Sequence, residues 1–184
     1  AILAVPLVST LFHYGEFSEA DVFYTRNAVV AYSAGLVGLI LVKVLAPGFY
    51  ARQDIRTPVK CAVITLFVTQ ALNLALIWPL AHAGLALAIA LGACLNAGML
   101  YVLLRRRGIY VPVAGWTQFL WKLCVSVVAM GAALAAGTHY TQWLQVSALT
   151  RVTQLALLVV GGAVVYLGLL ALLGFRLRDY AKRV

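Results

Sequence analysis

The chain has 184 residues, of which 64% are hydrophobic and only 10% are charged, and its formal net charge is +9. A soluble domain is about half apolar and about a quarter charged, so this composition excludes a soluble enzyme, a disordered tail and a nucleic-acid-binding domain. It predicts an all-α, polytopic transmembrane helix bundle, because helices satisfy their own backbone hydrogen bonds inside a bilayer. The excess of Lys and Arg is typical of loops on the anionic side of a membrane.

The N-terminal stretch 1–12 is apolar and has neither a basic n-region nor a small-residue cleavage site. These features argue against a signal peptide. The stretch has the character of the last part of a spanning helix. We therefore expect this chain to be a fragment of a longer protein.

Spanning helices need about 20 mostly apolar residues. Five windows of the sequence meet this requirement, and a partial span precedes them: about 28–45, 61–79, 83–104, 116–137 and 152–175, with the partial span at 1–12. Polar segments with turn residues separate the windows, and no repeat or low-complexity linker divides them. The sequence therefore predicts a single membrane domain over 1–184.

The basic residues fall on alternate connections between the predicted spans. One set of connections holds all but two of them: Lys43, Arg52, Arg56, Lys60, Arg105, Arg106, Arg107, Lys122, Arg176, Arg178, Lys182 and Arg183. The other set holds only Arg26 and Arg151. The positive-inside rule places the larger set, and with it the C-terminus, on the cytoplasmic side.

No pattern of residues indicates catalysis or metal binding. The spans contain no paired carboxylates, no Ser or Cys beside a His in a motif, and no glycine-rich phosphate loop. Cys61, Cys94 and Cys124 each lie in an apolar run without metal-site spacing, so we expect three small buried residues. The sequence predicts a protein that is not an enzyme and that uses no cofactor and no metal.

Two amides within the predicted spans, Asn73 and Asn96, are candidate functional residues. An amide in hydrocarbon needs a partner, so both should face other helices or a cavity. Interhelical hydrogen bonding is one interpretation, and contact with a cation or a substrate headgroup along a central path is the other. Gly84, Ala88 and Gly92 recur every fourth residue and predict one face for close packing or for sliding.

The connection between the first two full spans combines turn residues with charges of both signs. Pro47 and Gly48 predict a turn, and Arg52, Asp54 and Arg56 follow at a spacing of two. One interpretation is a solvated loop whose charges only set the orientation. The other is a gate or phosphate contact, in which an arginine fork pairs with Asp54 in one state and with phosphate in another.

The same connection carries a resemblance to a known family. Residues 41–60 read LVKVLAPGFYARQDIRTPVK, which is similar to a string characteristic of the MurJ (MviN) family of lipid II flippases. FHYGEFSEADV at 12–22, TQALNLALI at 69–77, the segment 82–101 and LGFRLRDYAKR at 173–183 resemble further parts of this family in the same order. The resemblance covers nearly the whole chain.

The resemblance implies the C-terminal part, about helices nine to fourteen, of a two-lobed transporter with the MATE-like fold of the MOP superfamily. It implies translocation of the undecaprenyl-linked peptidoglycan precursor, lipid II, from the inner to the outer leaflet of the bacterial inner membrane. Lipid II, membrane lipids and the N-terminal lobe of the same protein would be its partners. The family's essential cavity charges lie mainly in that lobe and match no position here. The family's last two helices, which by this resemblance would be 116–137 and 152–175, add a groove for the lipid tail.

Two other functions remain open on the sequence. An exporter of another lipid-linked glycan in the same superfamily predicts the same topology without the 41–60 motif. A non-transporting membrane scaffold of the cell-wall machinery predicts that substitutions at Arg52 and Asn73 are tolerated.

Overall fold

The computed structural model describes residues 1–12, 17–110, 116–139, 143 and 147–174. Within these ranges it contains five α-helices and no strand, which confirms the all-α prediction: α1 (Ala4–Phe12), α2 (Glu19–Tyr50), α3 (Arg56–Arg106), α4 (Trp116–His139) and α5 (Ala148–Leu172). Four of these helices, α2 to α5, are long and apolar enough to cross a membrane. The chain divides into two compact units: unit 1 contains α2 and α3, and unit 2 contains α1, α4 and α5.

Helix α2 is longer at both ends than the span predicted at 28–45. At its start Ser18 accepts a hydrogen bond from the Asp21 N–H, and the Asp21 carboxylate accepts one from the Ser18 N–H at 3.0 Å. This capping box satisfies backbone donors at the start of the helix. A prediction based only on apolar residues does not detect it.

The prediction of a turn at Pro47 and Gly48 is wrong, because both residues lie inside α2. A proline removes the hydrogen bond of its own nitrogen, but its carbonyl remains an acceptor. The Pro47 carbonyl accepts from the Ala51 N–H at 2.9 Å, so the helix continues for about one more turn.

Helix α3 is a helical hairpin of 51 residues. Ala81 breaks its helical backbone with a φ of 45° and a ψ of −125°, two residues after Pro79. The break separates two arms, 56–80 and 82–106, which contain the spans predicted at 61–79 and 83–104.

Contacts across the hairpin show that its arms are antiparallel. Gly84 lies against the carbonyl of Leu76, and Gly92 lies against the hydroxyl of Thr69. As the residue number rises on one arm it falls on the other, so positions at similar distances from the break meet. Two members of the predicted small-residue face, Gly84 and Gly92, thus form a packing surface within the hairpin.

Helix α2 completes unit 1 by packing against the second arm of α3, so closely that the two helix backbones are in contact. A Cβ at Gly38 would lie 2.7 Å from the Cys94 nitrogen, and Gly35 lies against Ala90. Small residues allow two helix backbones to approach this closely inside a membrane. Toward the far end of the hairpin, Phe49 of α2 joins Cys61, Leu100 and Leu104 in one buried cluster.

Unit 2 is built around α5, which contacts both α4 and α1. Ser147 caps the start of α5 by accepting from the Thr150 N–H. One turn later Arg151 is only 7% exposed, and its Nη1 donates to the carbonyl of Ser9 in α1 at 3.1 Å. This bond attaches α1 to α5.

The prediction of three buried cysteines is confirmed for Cys61 and wrong for Cys94 and Cys124, which are exposed. An apolar run in a spanning helix predicts that its residues lie in an apolar environment. Lipid can provide that environment as well as protein, so such a residue need not be buried inside the protein. Helix α5 overlaps the span predicted at 152–175 but ends at Leu172, and Phe175 lies outside the described residues.

Candidate functional site

Three helix ends meet at one end of unit 1. Helix α2 ends at Tyr50, α3 begins at Arg56, and the second arm of the hairpin returns to end at Arg106. We call this region the basic end of unit 1, and it comprises residues 49–60 and 103–110. It contains the charged connection between the first two full predicted spans.

A tight turn joins α2 to α3. Gln53 adopts a left-handed conformation with a φ of 57°. Its N–H donates to the Tyr50 carbonyl at 2.9 Å, and the Asp54 N–H donates to the Phe49 carbonyl at 3.1 Å. This pair of bonds is a Schellman motif, which ends α2 and fixes the backbone of Asp54 directly after it.

Asp54 then caps the start of α3. Its Oδ1 accepts from the Thr57 N–H at 3.1 Å, and its Oδ2 accepts from the Thr57 hydroxyl at 2.6 Å. An aspartate three residues before the N–H that it accepts is a common N-cap, since the first amides of a helix lack partners.

Arg107 reaches this cap from the other end of the hairpin. Its Nη1 donates to Asp54 Oδ2 in a salt bridge, and its Nη2 donates to the Thr57 hydroxyl at 2.9 Å. Its guanidinium carbon also lies 5.7 Å from the ring centroid of the buried Phe49, within the range of a cation–π contact. We call Asp54, Thr57 and Arg107 the Asp54 cluster.

The Asp54 cluster keeps its carboxylate ionised. The Thr57 hydroxyl, followed by Arg107, lowers the pKa of Asp54 from 3.8 to about 2. Protonation therefore cannot open the salt bridge near neutral pH. The side chains of Arg107 and Asp54 are 46% and 24% exposed, so a competing anion can reach the guanidinium.

The structure brings together only part of the predicted set. Asp54 lies at the centre of the cluster, whereas Arg52 and Arg56 are exposed beside it. The cation that pairs with Asp54 is Arg107, which the sequence indicates only as one of the basic residues that set the orientation. Two signals could have identified the cluster: the spacing of Asp54 and Thr57 fits an N-cap, and a hairpin that turns near Ala81 places residues 57 and 107 opposite each other.

Asn73 and Asn96 lie on the hairpin arms, away from the Asp54 cluster. Asn73 Nδ2 donates to Gln70 Oε1 at 3.1 Å. The Oδ1 atoms of Asn73 and Asn96 and the hydroxyl of Thr65 are buried and have no partner in the part of the chain that the structure describes. A role for these amides stays a prediction. No group of three or more His, Cys, Asp or Glu that could hold a metal occurs among the described residues.

Comparison with known proteins gives a consistent result. Residues 1–154 match the family model described as lipid II flippase MurJ. A lipid II flippase MurJ of Burkholderia cenocepacia is 42% identical, over 98% of this chain and 35% of its own length. Probable lipid II flippases MurJ of Vibrio cholerae and Haemophilus influenzae are 37% and 39% identical, over 97% and 96% of this chain and 34% of each relative. This chain spans about a third of the length of these curated relatives and belongs to the MurJ family of lipid II flippases.

Proposed function

We propose that the complete protein containing this chain moves lipid II from the inner to the outer leaflet of a bacterial inner membrane. Membership of the flippase family and four helices able to span a membrane support this function. Moving a lipid breaks no covalent bond, so the task needs a polar path and a change of conformation rather than catalytic groups. The chain would contribute part of the path, and the N-terminal lobe would supply the rest.

The basic end of unit 1 and the C-terminus face the cytoplasm in this proposal. The basic end carries Arg52, Arg56 and Lys60 on one side and Arg105 to Arg107 on the other. Lys and Arg accumulate on cytoplasmic loops, which supports this orientation. Lipid II would then approach this end with its pyrophosphate.

The main structural support for a change of conformation at this end is the Asp54–Arg107 salt bridge, which joins residues 53 positions apart. It connects the turn after α2 to the end of α3, so a relative movement of these helix ends must break it. A phosphate oxygen can replace a carboxylate oxygen on a guanidinium, which gives the differential contact that a two-state change requires. We expect the Asp54 cluster to be closed in one transport state and open in another, with Arg52 and Arg56 offering further donors nearby.

Complementation of a flippase-depleted strain tests the transport function. The complete wild-type protein should restore growth, and lipid II should become accessible at the outer leaflet. Growth without lipid II translocation would favour a scaffold. Translocation of a different lipid-linked glycan would favour the related exporter.

The Asp54 cluster is tested in the same strain with Asp54→Asn and Arg107→Lys. Arg106→Lys is the matched control, because it has the same charge and lies next to Arg107. We expect reduced translocation in both cluster variants at normal membrane levels of protein. Asp54→Asn removes the negative charge that pairs with Arg107, and in Arg107→Lys a point charge cannot replace the planar fork. Wild-type translocation in both variants would restrict the cluster to a structural role.

Orientation is tested by cysteine labelling after replacement of the native cysteines of the complete protein. A reagent confined to the outside should label a cysteine at Glu19 and not one at Arg106. The opposite pattern would reverse the proposed topology.

A further inference from the structure

A groove runs along the α3 hairpin from the basic end of unit 1. It has a volume of about 800 Å³, and both arms line it. Its polar end is formed by Thr57, Lys60 and Arg107. Its remaining length is lined by apolar and small residues, among which Ile64, Leu95 and Val102 are exposed. One end is thus cationic, and the rest is suited to hydrocarbon.

The length of the groove matches one leaflet of a bilayer. On the second arm it extends from Arg107 to Cys94, a helical rise of roughly 20 Å. Half of the hydrocarbon core of a bilayer is about 15 Å thick. An acyl chain that starts at the level of Arg107 would therefore end near the deep end of the groove, at the bilayer centre.

The cationic end retains hydrogen-bond donors for an anion. A guanidinium has five N–H donors, and Arg107 uses one on Asp54 and one on Thr57. Lys60 is exposed and has no carboxylate partner within the described ranges. One phosphate could thus bind both cations while the Asp54 cluster stays closed.

We propose that this groove binds an anionic phospholipid, with its phosphate on Lys60 and Arg107 and one acyl chain between the α3 arms. Charge complementarity favours this occupant, because basic pockets between spanning helices select anionic headgroups. The groove presents few polar groups beyond its cationic end, so it has little to recognise a sugar or a peptide. A glycerophospholipid therefore fits better than the sugar-bearing substrate of the proposed flippase. In the proposed orientation this lipid belongs to the cytoplasmic leaflet.

The test uses the complete protein reconstituted in vesicles of phosphatidylglycerol mixed with phosphatidylcholine, or of phosphatidylcholine alone. A trace of phosphatidylglycerol with a photoreactive acyl chain reports occupancy by cross-linking, and the labelled peptide is identified by mass spectrometry. We expect cross-links on the hairpin arms near Ile64 and Val102. Unlabelled phosphatidylglycerol should compete for them, and unlabelled phosphatidylcholine should not.

Two variants address the two ends of the groove. Lys60→Gln should weaken binding about fivefold, the effect of one basic residue near a membrane surface. Lys43→Gln is its control, because Lys43 is exposed and does not line the groove. Gly98→Leu should place an apolar side chain in the groove, because nothing lies within 4 Å of a Cβ at Gly98. Ala62→Leu is its control, since Ala62 is exposed and lies outside the groove lining.

A clear reduction of cross-linking in Lys60→Gln and its loss in Gly98→Leu, with both controls unchanged, would support the site. Equal competition by phosphatidylcholine would overturn it, as would cross-links that persist in both groove variants. If Gly98→Leu does not accumulate, Lys60→Gln alone decides the result. Lipid II translocation is measured separately, so a failed phospholipid site leaves the proposed transport standing, and the reverse also holds.

Discussion

The two polar regions of unit 1 differ in whether their polar side chains have hydrogen-bond partners. At the basic end, Asp54, Thr57 and Arg107 bond to one another, and water can reach the arginine. In the middle of the hairpin, the buried oxygens of Thr65, Asn73 and Asn96 have no partner within the described part of the chain. The middle is instead held by glycines that bring backbones together. Charge therefore organises the end of the unit, and close packing organises its centre.

This difference separates what can move from what cannot. A salt bridge can exchange one oxygen for another, so the basic end can have two arrangements of similar energy. Backbones in direct contact at Gly38 have no second arrangement of similar packing, since packed interiors deform little. We expect α2 and the second arm of α3 to move as one body and the helix ends to change partners.

The largest effect should come from Gly38→Leu in the packed centre. A Cβ there would lie 2.7 Å from the Cys94 nitrogen and 2.8 Å from the Ala93 carbonyl carbon, and backbone atoms cannot rotate away. Overpacking costs about 1–3 kcal/mol or more. We expect a large fall in the melting temperature of the complete protein in detergent, or failure to accumulate. Gly161→Leu is the control because open space surrounds that position. Equal stability of the two variants would contradict close packing at Gly38.

A smaller effect is expected at the basic end from Arg107→Gln. The variant keeps a hydrogen-bond donor but removes the charge that faces Asp54 and Phe49. We expect lipid II translocation to fall about tenfold, the scale of one charge-assisted hydrogen bond, while the melting temperature changes little. Arg105→Gln, which removes an equal charge at the same end, serves as the comparison. An equal loss in both variants would mean that only the total charge of the end matters.

Asn96→Leu should have a still smaller effect, and of the opposite sign. If its buried Oδ1 has no partner in the complete protein, removing the amide should be neutral or should stabilise by about 1 kcal/mol. Thermal unfolding of the complete protein measures the change. A clear loss of stability would show that another part of the protein bonds to Asn96. The centre of the hairpin would then resemble the basic end in having its polar side chains bonded.

The smallest effect concerns pH. The folded pKa of Asp54, about 2, lies below its ordinary value of 3.8, so its ionisation stabilises the fold above 3.8. That contribution is lost as the pH falls from 3.8 toward 2. The difference in melting temperature between the wild type and Asp54→Asn should therefore be constant near neutral pH and shrink only in this acidic window. A change near neutral pH would mean that another group controls the cluster.

The sequence predicted the helical class and the centres of the long helices, because about 20 apolar residues can be recognised without knowledge of contacts. It did not predict the helix ends. Those depend on single side chains and turns, such as Ser18 with Asp21 at the start of α2 and the left-handed Gln53 after its end. Pro47 misled the prediction because a proline near the end of a helix removes only one hydrogen bond.

The candidate site was only half predictable for a similar reason. Asp54 was selected from its charge and its place after a turn. Its partner Arg107 is 53 residues away, and their contact depends on the register of the α3 hairpin. The positive-inside rule counts Arg107 but says nothing about what it binds. Asn73 and Asn96 were selected as amides in hydrocarbon, and no side-chain pattern indicates whether the remainder of the protein reaches them.

The break at Ala81 has a consequence for how the protein enters the membrane during synthesis. Residues 78–83 include no Lys, Arg, Asp or Glu, although His82 lies among them. A turn without a permanent charge is inexpensive to translocate, whereas the cationic residues at the two ends of α3 resist it. We expect the two arms to leave the translocon as a pair, so that the second arm must be made before the first is held in place. The salt bridge from Asp54 to Arg107 would then form only when both arms are inserted, and it would mark the completion of that step.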